Sequence, residues 1–182
     1  LMHAEHLEAV HGVGHHTISV PRIKRADDID PSTFANGIDD EIFAKLVALI
    51  RIAVPYTGMI VSTRESQAVR EKVLKLGISQ ISGGSRTSVG GYTEEERPTD
   101  TEQFDVSDQR TLDEVVHWLM DLGYIPSFCT ACYRAGRTGD RFMELCKSKQ
   151  IQNCCHPNAL MTLKEYLVDY ASEETRAIGE AL

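Results

Sequence analysis

An alternation of strand and helix patterns in the first half of the chain is the feature that most constrains its fold. Short apolar segments predict strands at 17–22, 58–63 and 78–82, and helical patterns at 39–54 and 66–76 separate them. This order predicts parallel strands joined by right-handed crossovers. Because three strands do not close an eight-stranded barrel, we interpret the segment as the end of a βα-barrel whose earlier strands are absent. A small open α/β sheet is the alternative.

The helix predicted at 39–54 has Asp39 or Asp40 as its cap and Ile42, Leu46, Leu49 and Ile50 at helical spacing. A long loop rich in glycine, serine and threonine follows the third strand, and loops of this length are often functional. Later patterns predict a helix at 107–122 with a capping box at Thr111 and Glu114, a short strand at 125–128, a helix at 140–149, and a terminal helix opened by a second capping box at Thr162 and Glu165.

Charge and hydropathy exclude some classes of function. The 182 residues carry a formal net charge of −8, which disfavours binding to nucleic acid because the surface repels phosphates. No apolar run approaches the roughly 20 residues that span a bilayer, and no signal peptide is present, so we expect a cytoplasmic protein without a membrane partner. The first helical pattern, 1–11, has no cap before it and no initiator methionine, so we expect that upstream sequence is missing.

All five cysteines lie between positions 129 and 155, at 129, 132, 146, 154 and 155. A secreted disulfide scaffold would spread its cysteines along the chain, and an odd number would leave one unpaired. The clustering therefore favours a metal site.

The cysteine spacing is Cys129-x2-Cys132 followed, after 22 residues, by Cys155. Three thiolates can hold a 4Fe–4S cube and leave one iron open for a small ligand. A zinc-binding structural or interaction module is the alternative, with Cys154 or His156 as the fourth ligand. Cys154 can also replace Cys155, because spacing alone does not separate neighbours. A thioredoxin-like redox pair and purely structural cysteines are weaker interpretations.

Five segments together resemble one family, the radical SAM tyrosine lyases that mature FeFe-hydrogenase: GVGHHTISVPR (12–22), STRES (62–66), QISGGSRTSVGGY (80–92), CTACYRAGRTGDRF (129–142) and NCCHPNA (153–159). The family is related to the thiamine-pathway tyrosine lyase, 2-iminoacetate synthase. The resemblance covers nearly the whole chain, and the cysteine spacing is the feature that favours the maturase over its relative.

The resemblance implies an enzyme that cleaves L-tyrosine to p-cresol and dehydroglycine and forms carbon monoxide and cyanide on iron for the hydrogenase H-cluster. It implies that Cys129, Cys132 and Cys155 ligate an auxiliary 4Fe–4S cluster whose open iron faces a cysteine-bridged extra iron. His3 or His6 would ligate that extra iron, and packing on a helix face is the alternative for both. The implied partners are L-tyrosine, cysteine and iron at the auxiliary cluster, and the other hydrogenase maturases.

One motif of the family does not occur in the chain. The Cys-x3-Cys-x2-Cys segment that holds the SAM-cleaving cluster is absent, so S-adenosyl-L-methionine and a second 4Fe–4S cluster would be bound mainly by the missing N-terminal part. We therefore expect the chain alone to be inactive. Residues 1–106 would form the last βα units of an incomplete barrel with a connecting loop, and residues 107–182 a mostly helical auxiliary-cluster domain. An exposed barrel edge would favour self-association.

In such a barrel the active site lies at the carboxyl ends of the strands. Ser19 and Arg22 follow the first predicted strand, and Ser62 and Arg64 the second. An arginine at this position can bind a carboxylate through two parallel hydrogen bonds, and both tyrosine and SAM carry one. These four residues are the predicted ligand-binding set. The alternative for the arginines is an ion pair with a local acid such as Glu65.

Overall fold

The computed structural model describes residues 1–26, 28–88, 90–93, 104–128 and 139–182. These residues contain seven helices: α1 (Met2–His11), α2 (Asp40–Ala53), α3 (Gln67–Leu74), α4 (Leu112–Asp121), α5 (Gly139–Lys147), α6 (Gln152–Asp169) and α7 (Glu173–Ala181). They also contain three strands, β1 (Thr17–Ser19), β2 (Gly58–Val61) and β3 (Gln80–Ile81), and a short 3-10 turn at Pro31–Thr33. In these segments we find no helix with both the length and the apolarity needed to cross a membrane.

The three strands form one parallel sheet in the order β1-β2-β3. The α/β class with a small parallel sheet is therefore confirmed, whereas the barrel and the auxiliary-cluster domain remain predictions. The strands are shorter than the patterns indicated. β1 ends two residues before Pro21, which has no N–H to donate to a neighbouring strand.

The chain divides into two compact units. The first comprises residues 17–109 and holds the sheet. Its helix α2 begins where the Asp39 carboxylate accepts a hydrogen bond from the N–H of Ile42 at 2.8 Å. The core between the helices and the sheet is formed by Phe43, Ala44, Val47, Met59, Val61, Val69, Val73 and Ile78. Burial of each large side chain of this set contributes about 1.5–3 kcal/mol relative to exposure.

The second unit comprises residues 1–16 and 110–182 and is helical. Helix α4 begins with the predicted capping box, in which the backbone N–H of Thr111 donates to the Glu114 carboxylate at 2.7 Å. Helix α1 ends where the helical pattern 1–11 ends, and the Gly12 that follows has a left-handed φ of 74°. The core of this unit is formed by Val116, Met120, Leu163, Tyr166 and Leu167.

Two predicted elements in this unit are wrong. Residues 125–128 form no strand, because Pro126 lacks an N–H and that of Phe128 donates to the Thr162 hydroxyl at 3.3 Å. Thr162 does not cap a helix either. It lies inside α6, where its hydroxyl donates to the carbonyl of Ala159, also at 3.3 Å. The spacing of a capping box thus occurs by chance in the middle of a longer helix.

Candidate functional site

The carboxyl edge of the sheet brings together the four predicted ligand-binding residues. Ser19 is the last residue of β1, and Ser62 directly follows β2. Because β1 and β2 are parallel, these two ends lie at the same edge. Arg22 and Arg64 lie in the loops that leave the two ends. A cavity of about 760 Å³ beside the first loop is lined by residues 21–24, Pro31, Ser32 and residues 34–39.

Arg22 is held by acidic residues of the chain. Its Nε donates to Glu65 at 3.0 Å, and its Nη2 forms an ion pair with the same carboxylate. A second carboxylate, of Asp40, lies 2.8 Å from Nη1, which also donates to the carbonyl of Ile38. The hydrogen bond to Glu65 is the main reason that the pKa of Arg22 is raised from its ordinary value, although burial acts in the opposite direction. An ion pair with Glu65, considered as the alternative for the arginines, is the arrangement that the structure shows for Arg22.

The surroundings of the Glu65 carboxylate show why its ion pair with Arg22 is stable. The residue is only 2% exposed, and a buried carboxylate is costly unless cations and hydrogen-bond donors surround it. Arg22 provides one cation, and Lys24 provides another with its Nζ 3.3 Å from the carboxylate. The guanidinium of Arg22 also lies over the ring of Phe43, 4.6 Å from the centroid. This arrangement fixes the loop after β1 to the turn after β2.

Arg64 has a different environment. Its guanidinium carbon lies 4.0 Å from the centroid of the Phe104 ring, a cation–π contact that leaves the N–H groups free to point elsewhere. Within the described segments no carboxylate lies within ion-pair distance of this guanidinium. Arg64 is half-buried, and its backbone N–H donates to the Ser62 hydroxyl at 3.4 Å. Among the described residues, Arg64 is therefore the one of the two arginines whose guanidinium N–H groups have no carboxylate partner.

A buried ion pair that the sequence analysis did not identify supports this turn. Arg70 on α3 is fully buried and contacts both the Asp108 carboxylate and the carbonyl of Ser82. The backbone N–H of Asp108 donates to the carbonyl of Thr63 at 3.0 Å. The segment that carries Phe104 is thereby fixed against the turn that carries Arg64. The available signal was Arg70 itself, a cation between Val69 and Val73 on the apolar face of α3.

Of the three predicted cluster ligands, the structure describes only Cys155, since Cys129 and Cys132 lie outside the described residues. Cys155 is exposed in the first turn of α6, where its N–H donates to the Ile151 carbonyl at 2.9 Å. Positive charge at a helix N-terminus favours a thiolate over a thiol. The neighbouring Cys154 is half-buried. Within the described segments no group of three or more His, Cys, Asp or Glu side chains is arranged to hold a metal ion.

The two candidate histidines lie on α1, in the same compact unit as Cys155. His3 and His6 are both exposed, and Ala4 is the buried residue of this helix. Both side chains therefore lie at the surface of α1 in this chain. His3 lies close enough to His15 to affect it: burial lowers the pKa of His15 from its ordinary value, and the charge of His3 lowers it further. The choice between His3 and His6 as an iron ligand remains open.

Residues 19–125, more than half of the chain, match the Biotin and Thiamin Synthesis associated domain. The chain belongs to this family. The predicted resemblance to the FeFe-hydrogenase maturase is confirmed by two solved structures. The crystal structure of HydG, a maturase of the FeFe-hydrogenase, is 56% identical over 98% of this chain with a TM-score of 0.92. The HydG of Carboxydothermus hydrogenoformans, also an FeFe-hydrogenase maturase, is 39% identical over 98% of the chain with a TM-score of 0.61.

Among curated proteins, the 2-iminoacetate synthases of Escherichia coli K12 and Salmonella typhimurium LT2 are each 29% identical over 129 residues, or 69% of this chain. The chain spans 33% of the length of these synthases. It spans 38% and 41% of the two maturases.

Proposed function

We propose that this chain forms the auxiliary-cluster part of a radical SAM tyrosine lyase that matures FeFe-hydrogenase. The observation that supports this most strongly is the 56% identity with a maturase of the FeFe-hydrogenase over 98% of the chain. In this proposal the whole enzyme acts in the cytoplasm with the other hydrogenase maturases. It cleaves L-tyrosine to p-cresol and dehydroglycine and forms carbon monoxide and cyanide on iron for the H-cluster.

Cys129, Cys132 and Cys155 would hold the auxiliary 4Fe–4S cluster. The exposed position of Cys155 in the first turn of α6 suits a thiolate ligand, both sterically and by the charge of the helix terminus. When bound, a cluster with three thiolate ligands supplies one iron with an open coordination position. The extra iron and its bridging cysteine are cargo in this proposal, and the exposed His3 or His6 on α1 would ligate that iron.

Arg64 is the better placed arginine for binding the carboxylate of L-tyrosine or of SAM. Its guanidinium rests on the Phe104 ring, and no described carboxylate pairs with it. Arg22, in contrast, already binds Glu65 and Asp40, so in this proposal it mainly holds the loop after β1 in place.

The two serines complete the ligand-binding set. The hydroxyls of Ser19 and Ser62, at the same edge of the sheet, would add hydrogen bonds to the ligand. SAM and the second 4Fe–4S cluster would be bound mainly by residues outside this chain. Self-association through the edge strands β1 and β3 remains a prediction.

The test is the iron, acid-labile sulfide and zinc content of the chain after anaerobic reconstitution. We expect about four irons with matching sulfide in the wild type, as for a three-thiolate cube, and loss of both in Cys155→Ala. Cys146→Ala is the matched control, because Cys146 lies outside the ligand motif, on α5, and should leave the cluster intact. Cys154→Ala decides between the neighbouring cysteines. One zinc without sulfide would contradict the proposal and favour the structural module.

A further inference from the structure

Phe128 is the residue that directly precedes Cys129, and two contacts fix it to helix α6. Its backbone N–H donates to the hydroxyl of Thr162 at 3.3 Å. Its ring stacks on that of Tyr166, with centroids 4.7 Å apart and planes inclined by 17°. Thr162 and Tyr166 are four residues apart on the helix and thus present neighbouring side chains on one face. The chain is therefore held by both its backbone and its side chain at the position before the cysteine pair.

Tyr166 is itself held in place. The residue is 7% exposed, and its hydroxyl donates to Asp113 on α4 at 3.0 Å. Asp113 also accepts hydrogen bonds from the hydroxyls of Ser172, at 2.6 Å, and Thr175, at 2.8 Å. Burial, together with the hydrogen bond to Asp113, raises the pKa of Tyr166 to about 12, so the phenol keeps its proton at neutral pH and remains a donor. Phe128 thus rests on a side chain that is linked to α4 and α7.

The groove around this stack is open and mostly apolar. It has a volume of about 370 Å³ and is lined by Leu112, Phe128, Thr162, Glu165, Tyr166 and Tyr170. Phe128 is 36% exposed and Tyr170 is 75% exposed, so the stack extends to the surface.

We infer that Thr162 and Tyr166 are positioning residues for the metal site. They fix the backbone at Phe128, so that the residue before the cysteine pair is already ordered when the pair binds metal. This inference rests on the proposed assignment of Cys129 and Cys132 as metal ligands. Fixing a residue before binding removes conformational entropy that metal binding would otherwise have to remove, and supporting residues of this kind hold ligands in their productive geometry. Neither residue touches the metal in this inference.

The test measures the affinity of the anaerobic chain for Co²⁺, read from the thiolate–cobalt charge-transfer absorption. Thr162→Val keeps the shape of the side chain and removes the acceptor for the Phe128 N–H. We expect it to weaken Co²⁺ binding by roughly three- to tenfold, which is the range for one lost hydrogen bond. Thr33→Val is the matched control, because the Thr33 hydroxyl also donates to a carbonyl three residues earlier, that of Asp30, but lies in the other compact unit.

Three further measurements distinguish the ways in which the inference can fail. Phe128→Leu removes the ring stack, keeps the N–H, and should weaken Co²⁺ binding by a similar factor even if Thr162→Val does not fold. Amide exchange at Phe128, followed by NMR, should accelerate in Thr162→Val and not in the control. Release of iron from the reconstituted chain to a chelator should also be faster in Thr162→Val.

Equal Co²⁺ affinity in the wild type and both variants, or an equal loss in the Thr33→Val control, would overturn the inference. If the wild type binds Co²⁺ with the expected sensitivity to Thr162 but assembles no iron–sulfur cluster, the proposed function fails and the positioning role stands. If the wild type binds neither Co²⁺ nor a cluster, both fail, because there is no metal site to position.

Discussion

The substitution Asp108→Ala should strongly destabilise the chain, because it removes the buried carboxylate that Arg70 contacts. Arg70 is 0% exposed and Asp108 is 4% exposed, so water cannot replace the lost partner without opening the fold. Removing one partner of a buried ion pair costs about 3–5 kcal/mol. Arg70 keeps its hydrogen bond to the carbonyl of Ser82, so we expect the lower end, about 3 kcal/mol.

Urea denaturation followed by circular dichroism at neutral pH measures this loss. With a urea dependence of about 1–3 kcal/mol per molar, the midpoint should fall by roughly 1–3 M. Glu71→Ala is the matched control on the same helix. Glu71 forms an exposed ion pair with Lys75 at 2.9 Å, and we expect its removal to lower the free energy of unfolding by less than about 1 kcal/mol. Replacing both Arg70 and Asp108 by Met and Leu should restore most of the stability, because two apolar side chains leave no buried charge. A loss in Asp108→Ala no larger than that in Glu71→Ala would refute the reasoning.

Two other substitutions test the packing within each of the two compact units. The pKa of an unfolded tyrosine is near 10, whereas that of Tyr166 in the folded chain is raised to about 12, so the stability that this group contributes is complete below about pH 10 and is lost between about pH 10 and 12. Tyr166→Phe should remove this loss of stability, as measured by chemical denaturation at successive pH values. An unchanged pH profile in the variant would contradict the prediction. Gly77→Ala should lose at least about 1 kcal/mol in thermal denaturation, because Gly77 has a φ of +107° and an added Cβ would lie 2.8 Å from the Arg51 side chain. Gly37→Ala, whose Cβ would meet only the Phe34 carbonyl at 3.6 Å, is the control and should be nearly neutral.

The order and direction of the strands were predictable because they depend on local patterns. Apolar segments separated by helices leave parallel pairing as the simple solution, and the observed order β1-β2-β3 follows it. Burial within an element was less predictable. Ile42 and Leu49 have the helical spacing of a buried face, yet both are exposed on α2, and Phe43 and Val47 face the core instead. This helix is apolar around much of its circumference, so periodicity identifies the helix and not the side that the sheet covers.

At the candidate site, the sequence did not predict which charged residues form ion pairs with one another. Sequence places Arg64 beside Glu65, and adjacent opposite charges favour the idea of a local pair. In the structure Glu65 instead binds Arg22, which is distant in sequence and reaches it across the parallel strand ends. Glu65 lies in the turn after β2 and Arg22 in the loop after β1, and because these strands are parallel both segments leave the same edge of the sheet.

In the proposed function, the pairing of Glu65 with Arg22 also separates the roles of the two arginines. A buried carboxylate between two loops needs a cation, and Arg22 and Lys24 supply it, so the cost of burying Glu65 is offset within the chain. Within the part of the chain that the structure describes, Arg64 instead has an aromatic contact, which holds the guanidinium plane and uses none of its N–H donors. An arginine whose plane is fixed while its donors are available is preorganised for a planar anion such as a carboxylate. The ion pair at Arg22 is therefore no argument against carboxylate binding at this edge of the sheet, and it is the reason that the proposed function assigns that binding to Arg64.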